Sequence, residues 1–141
     1  MPRARTPQVR GYRLAVFPAV HPTTAVRVTR IVLESAQSFA TFQYELSVTA
    51  THSGGTIRFR VLGLKAPQNL LPMAGPARFV SDVEGLSGRV DLVFEGIDRK
   101  PILCTIDVRP AGVKIVKPPV SGRLSLLAAD THQHTTRAPH A

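Results

Sequence analysis

Between Thr41 and His52 the side chains alternate without a break. Phe42, Tyr44, Leu46, Val48 and Ala50 fall on one side of an extended chain, and Thr41, Gln43, Glu45, Ser47, Thr49 and Thr51 fall on the other. A period of two is that of a β-strand with one face buried and one face wet. Ser53-Gly54-Gly55-Thr56 follows, and then Ile57-Arg58-Phe59-Arg60-Val61 alternates again. Paired glycines supply the positive φ angles that a two-residue hairpin turn needs. The register that results sets Ala50 opposite Phe59, Val48 opposite Val61, Thr51 opposite Arg58 and Thr49 opposite Arg60. All the apolar residues then share one face, and a slip of one residue destroys that agreement.

The same period runs through most of the chain. It predicts strands over Tyr12–Phe17, Ala25–Glu34, Ala77–Val80, Arg89–Glu95, Pro101–Arg109, Val113–Val116 and Arg123–Leu127, about nine in all with the hairpin. Val90, Leu92 and Phe94 point inward from one of them, and Ile102, Cys104, Ile106 and Val108 from the next. Gly96-Ile97-Asp98-Arg99-Lys100 joins these two as a hairpin loop, and the prolines and glycines concentrate at the turns. No stretch shows a helical period with caps, although Leu70-Leu71 in the Pro67–Pro76 connection allows one helical turn. The expected fold is therefore all-β: an antiparallel β-sandwich, Ig-like or jelly-roll-like, with a small Greek-key barrel as the alternative. The disulfide and tryptophan of true Ig domains are excluded, because the chain has one cysteine and no tryptophan. A single sandwich domain is expected over residues 11–127. A flexible basic arm over 1–10 precedes it, and a disordered, polar, histidine-containing tail over 128–141 follows.

Charge is distributed unevenly. The 141 residues carry a net +9, and residues 1–80 hold ten basic side chains against only Glu34 and Glu45. Most of the cations are arginine, whose planar fork suits carboxylate and phosphate. An excess of this kind attracts polyanions: nucleic acid, anionic lipid or the acidic face of a protein. Arg3, Arg5, Arg10 and Arg13 mark the N-terminal stretch. The outward side of the 41–61 hairpin presents Thr49, Thr51, Arg58 and Arg60, a stripe that Arg27 is expected to extend. Phe42, Tyr44 and Phe59 face the core in this register, so the basic stripe lacks the aromatic platforms on which bases stack.

Catalytic patterns are scarce. Neither a phosphate-binding G-x-x-x-x-G-K-S/T nor a G-x-G-x-x-G loop is present, and there is no G-x-S-x-G elbow. Cys104 sits among inward Ile102 and Ile106, where a thiol is a small core residue rather than a nucleophile. His132 and His134 form an H-x-H pair, but in a tail whose ordering would have to come from metal binding itself, so no metal or other cofactor is expected. Asp91, Glu95 and Asp98 are the acids best placed for a small-molecule or hydrolytic site, against the plainer reading that they are solvated and paired with arginines. No apolar run approaches the roughly 20 residues that span a bilayer as a helix. Leu14–Phe17 is too short, and too soon interrupted by Pro18, for a secretory signal; nothing here fixes a compartment.

The expectation is a non-catalytic interaction module whose basic face docks on an acidic protein partner or on a second copy of the chain. Sequence-nonspecific nucleic-acid binding through Arg58, Arg60 and the N-terminal arm is the alternative. A small-molecule binder or hydrolase built on Asp91, Glu95 and Asp98 is the third.

Overall fold

The computed structural model describes residues 11–39, 44–66 and 75–129. They form nine strands and no helix: β1 (Tyr12–Val20), β2 (Arg27–Phe39), β3 (Glu45–Ser53), β4 (Thr56–Lys65), β5 (Gly75–Val83), β6 (Gly88–Glu95), β7 (Pro101–Arg109), β8 (Gly112–Lys117) and β9 (Leu124–Ala128). The expected arm at 1–10, Phe42, residues 67–74 of the long connection and the tail from Asp130 lie outside the described residues.

All nine strands join one sheet in the order β8-β7-β6-β4-β3-β5-β2-β1-β9. That sheet nearly closes on itself into a barrel. Ala129, just past β9, donates its N–H to the Val16 carbonyl of β1 (3.2 Å) and accepts from the Val113 N–H of β8 (3.3 Å). The all-antiparallel expectation is corrected: β1–β9, β3–β5 and β4–β6 are parallel pairs. A parallel neighbour requires the chain to cross over, and alternation within a strand carries no trace of such a crossover.

The 45–61 hairpin has the expected register, with Ala50 against Phe59, Thr51 against Arg58 and Thr49 against Arg60. Gly54 and Gly55 turn it at φ 57° and 80°, both in the left-handed region that only glycine enters freely. A bulge at Ser47/Val48 lets Leu46 pair with Leu64 while Val48 pairs with Val61. Phe59, Ile57 and Val61 are buried, yet Ala50, on the same side and also expected to face the core, is exposed. The reason is that β3 touches β5 in register only at Glu45–Arg78 and then leaves it, so among the described residues the far half of β3 has no strand neighbour opposite β4 to cover it.

The core fills the inside of the wrap. Leu14 and Val16 of β1, Ile31 and Leu33 of β2, Val90, Leu92 and Phe94 of β6, and Cys104, Ile106 and Val108 of β7 are all buried there. Ser35 is a buried polar member of β2, and it has work to do. Beside it the β2–β5 ladder shifts register between Glu34 and Ser38. Its hydroxyl accepts the Ala77 N–H (2.8 Å) and donates to the Gln37 carbonyl (2.7 Å), restoring bonds that the irregular ladder does not make.

Candidate functional site

The outward face of β3, β4 and β6 gathers four of the residues expected to act, Thr49, Thr51, Arg58 and Arg60. Thr49, Thr51 and Arg58 are exposed and Arg60 is partly so, with the cross-strand pairing that the hairpin dictates. β4 runs parallel to β6, and this register places Arg60 beside Glu95 and Arg58 beside Val93. Glu95, expected to be a solvated acid, is instead only 6% exposed. Its Oε2 accepts from Arg58 Nη1 at 3.2 Å and from Arg60 Nη2 at 3.5 Å. The two guanidinium side chains stay about half exposed, 51% and 41%. One buried carboxylate thus aligns two cations and leaves the cluster with one net positive charge.

The other predicted residues fall in different places. Arg27, at the start of β2, donates to the Pro110 carbonyl (2.9 Å) in the β7–β8 turn, apart from the Arg58/Arg60 stripe. Arg13 belongs to β1, where it bonds the Ser35 carbonyl (3.3 Å) and lies 3.8 Å from Glu34. Arg3, Arg5 and Arg10 lie outside the described residues. Much of the apparent cationic excess is matched internally. Arg30 grips Asp82 with two bonds of 2.8 and 3.0 Å, Arg78 holds Glu34, and Arg109 holds Asp107. The Arg30 bonds hold the Asp82 carboxyl below its ordinary range.

Asp91, Glu95 and Asp98 do not converge. Asp91 accepts from the Thr105 hydroxyl (2.8 Å), Glu95 from Arg58 and Arg60, and Asp98 from Arg123. Asp91 and Glu95 stand four residues apart along one strand, about 13 Å at the usual rise, too far apart for a cooperating acid and base. Asp98 instead borders a cleft with Tyr12, Phe94 and Ile102. Cys104 is buried, and burial pushes its thiol up to about 11, the opposite of what a nucleophile requires. His21 closes its own turn by accepting the Thr23 and Thr24 N–H groups, and His52 is exposed at the hairpin end. Among the described residues no group of three metal-ligating side chains comes together, and no helix is long and apolar enough to cross a membrane.

Two features had a weak sequence signal or none. The Glu95 pairing depends on a parallel neighbour that alternation does not reveal. Tyr12 had a faint one: it holds the inward position of the run Tyr12, Leu14, Val16, and it joins the buried core. Comparison of the chain with protein-family models, curated proteins and solved structures finds no match.

Proposed function

We propose that the protein is a non-catalytic interaction module that docks an acidic, extended segment of a partner protein along β3, with Arg58 and Arg60 meeting its carboxylates. The observation that carries this reading is the free side of β3. Beyond Glu45 it has no paired neighbour opposite β4 among the described residues, and Thr49–Ser53 are exposed throughout. Such an edge accepts an added strand through its backbone, while nearby side chains supply selectivity. In a two-residue hairpin the pair flanking the turn, Ser53 and Thr56, is hydrogen-bonded, so alternate residues Ala50 and His52 turn their N–H and C=O toward the open side. Thr49 and Thr51 offer hydroxyls beside them, and the half-exposed arginines lie one strand further in.

A nucleic-acid partner suits this face less well. The shared Glu95 lowers the charge that phosphates would meet, and no aromatic ring lies on the stripe to stack a base. The test is fluorescence anisotropy of a labelled acidic peptide and of single- and double-stranded oligonucleotides, at roughly 50 and 300 mM salt. Peptide binding that weakens in high salt and falls in Arg58→Ala/Arg60→Ala supports the module. Oligonucleotide binding that exceeds peptide binding and depends on the same arginines replaces it with the nucleic-acid reading.

A further inference from the structure

At the mouth of the wrapped sheet, by the β6–β7 turn, lies a cleft of about 370 Å³, the scale of a small organic molecule rather than a polymer. Its apolar wall is made by Tyr12 of β1, Phe94 at the end of β6 and Ile102 of β7. The two rings are packed together, with centroids 4.8 Å apart and planes inclined at 56°. Its polar groups are the Asp98 carboxylate and the Arg123 guanidinium, which bond each other. Gly96 contributes no side chain. A Cβ there would lie 3.6 Å from Tyr12 Cε2, 3.6 Å from Asp98 Oδ1 and 3.7 Å from Phe94 Cε2, so this glycine leaves room among the lining groups.

The second observation is independent of the cleft's shape. Tyr12 is 6% exposed, and its hydroxyl is the one buried side-chain polar atom without a hydrogen-bond partner among the described residues. A buried hydroxyl left unbonded is costly, and a native fold that retains one calls for an explanation. Phenylalanine would pack there with no such cost, so the hydroxyl calls for a partner from outside the described residues.

The charges then select the class of that partner. A carboxylate entering beside Arg123 would meet Asp98, and an ammonium entering beside Asp98 would meet Arg123. An uncharged head that both accepts and donates satisfies every group at once. We propose that the cleft binds a small, neutral, ring-bearing carboxamide, its N–H donating to Asp98 and its ring lying against Tyr12, Phe94 and Ile102, with a small side-chain shift on binding that uncovers the buried Tyr12 hydroxyl so that it donates to the carbonyl. This site is separate from the β3 edge and does not depend on it.

The experiment is a titration of benzamide into the isotope-labelled protein, followed by amide chemical shifts, with benzoate and benzylammonium as charged probes of the same size. Shifts confined to the 96–98 turn and its surroundings, with a dissociation constant of roughly 1 mM or tighter, are expected for a ligand of this size. Each charged probe binds several-fold more weakly. Tyr12→Phe weakens benzamide about five- to tenfold, the worth of one hydrogen bond, while its thermal midpoint stays level or rises because the unbonded hydroxyl is gone. Gly96→Leu fills the cleft and abolishes binding. The proposal fails if benzamide produces no localised shifts, if Tyr12→Phe binds it as well as the parent does, or if either charged probe binds more tightly. Should Gly96→Leu not fold, Tyr12→Phe decides alone.

Discussion

Glu95 and Arg58 meet across a parallel strand pair, Oε2 to Nη1 at 3.2 Å, with the carboxylate buried and the guanidinium half in solvent. The same oxygen reaches Arg60, so one acid governs how two cations are presented. Glu95→Gln removes that charge while preserving shape. Affinity for an acidic peptide at low salt is expected to rise several-fold, because both arginines are released. Thermal stability is expected to fall by about 1 kcal/mol, as charge-assisted bonds become neutral ones. Anisotropy and a melting curve on the same variant check both signs; unchanged peptide affinity would mean that the arginines do not face the partner.

Ala50→Pro addresses the free edge directly. The Ala50 N–H is turned away from β4, so proline removes no bond of the hairpin and is tolerated as it is on other edge strands. The melting temperature should stay within a few degrees of the parent, whereas peptide binding is lost. A variant that folds and still binds would argue for side-chain docking without an added strand.

Ser35→Ala leaves the buried Ala77 N–H without its hydroxyl acceptor and removes the hydroxyl's bond to the half-buried Gln37 carbonyl. The expected cost is about 2–3 kcal/mol in denaturant unfolding. A loss below about 0.5 kcal/mol would show that the β2–β5 irregularity closes without the hydroxyl.

The thiol of Cys104 is raised to about 11, chiefly by burial and secondarily by the Asp91 charge, against 9.0 for an ordinary thiol. Its folded value is the higher one, so between these limits the unfolded chain loses the proton first and the folded chain keeps it. Stability is therefore unaffected below about pH 9 and declines as pH rises toward 11, by about 2–3 kcal/mol in total. Cys104→Ala is less stable at every pH because of its cavity, but its alkaline decline is shallower. A remaining decline at the highest pH is expected from Tyr12, whose phenol burial and Asp98 also push upward. Unfolding curves from pH 7 to 11 check this, and rapid labelling of the native thiol at pH 8 would contradict its burial.

Arg99 adopts φ 65° in the β6–β7 turn, where its N–H bonds the Gly96 carbonyl at 3.0 Å. A side chain in that region costs about 1 kcal/mol, which glycine avoids. Arg99→Gly is expected to raise the unfolding midpoint modestly, after allowing for the greater freedom glycine gives the unfolded chain. A lower midpoint would mean that the Arg99 side chain contributes more to the turn than its backbone costs.

The division between what the residues reveal and what they conceal follows from the range of each interaction. Register in the 45–61 hairpin is local: two glycines and a run of alternating residues determine it, and Thr49, Thr51, Arg58 and Arg60 emerge together as expected. Nine strands follow from the same short-range period. Parallel pairing is not local. Nothing within Arg58-Phe59-Arg60 indicates that β6 will lie alongside in the same direction, so the burial of Glu95 is invisible until the sheet is assembled. Ala50 illustrates the reverse: its period is right, but its exposure depends on where β3 parts from β5. The cleft is further out of reach still, since Tyr12, the Phe94–Asp98 stretch and Arg123 are widely separated in the chain and share no pattern.

Ala129 bonds both β1 and β8 at the point where the two ends of the sheet approach each other, and among the described residues β9, immediately before it, is the sole partner on that flank of β1. β1, the first of the nine described strands to be made, must therefore wait for β9, the ninth. As the chain emerges from the ribosome, the outer flank of β1 stays open until residues near 129 are available, leaving the nascent chain adhesive while the seven strands between are made. A chain ended anywhere between β2 and β9 would hold β1 by one side alone, an open edge of the kind that pairs with other chains.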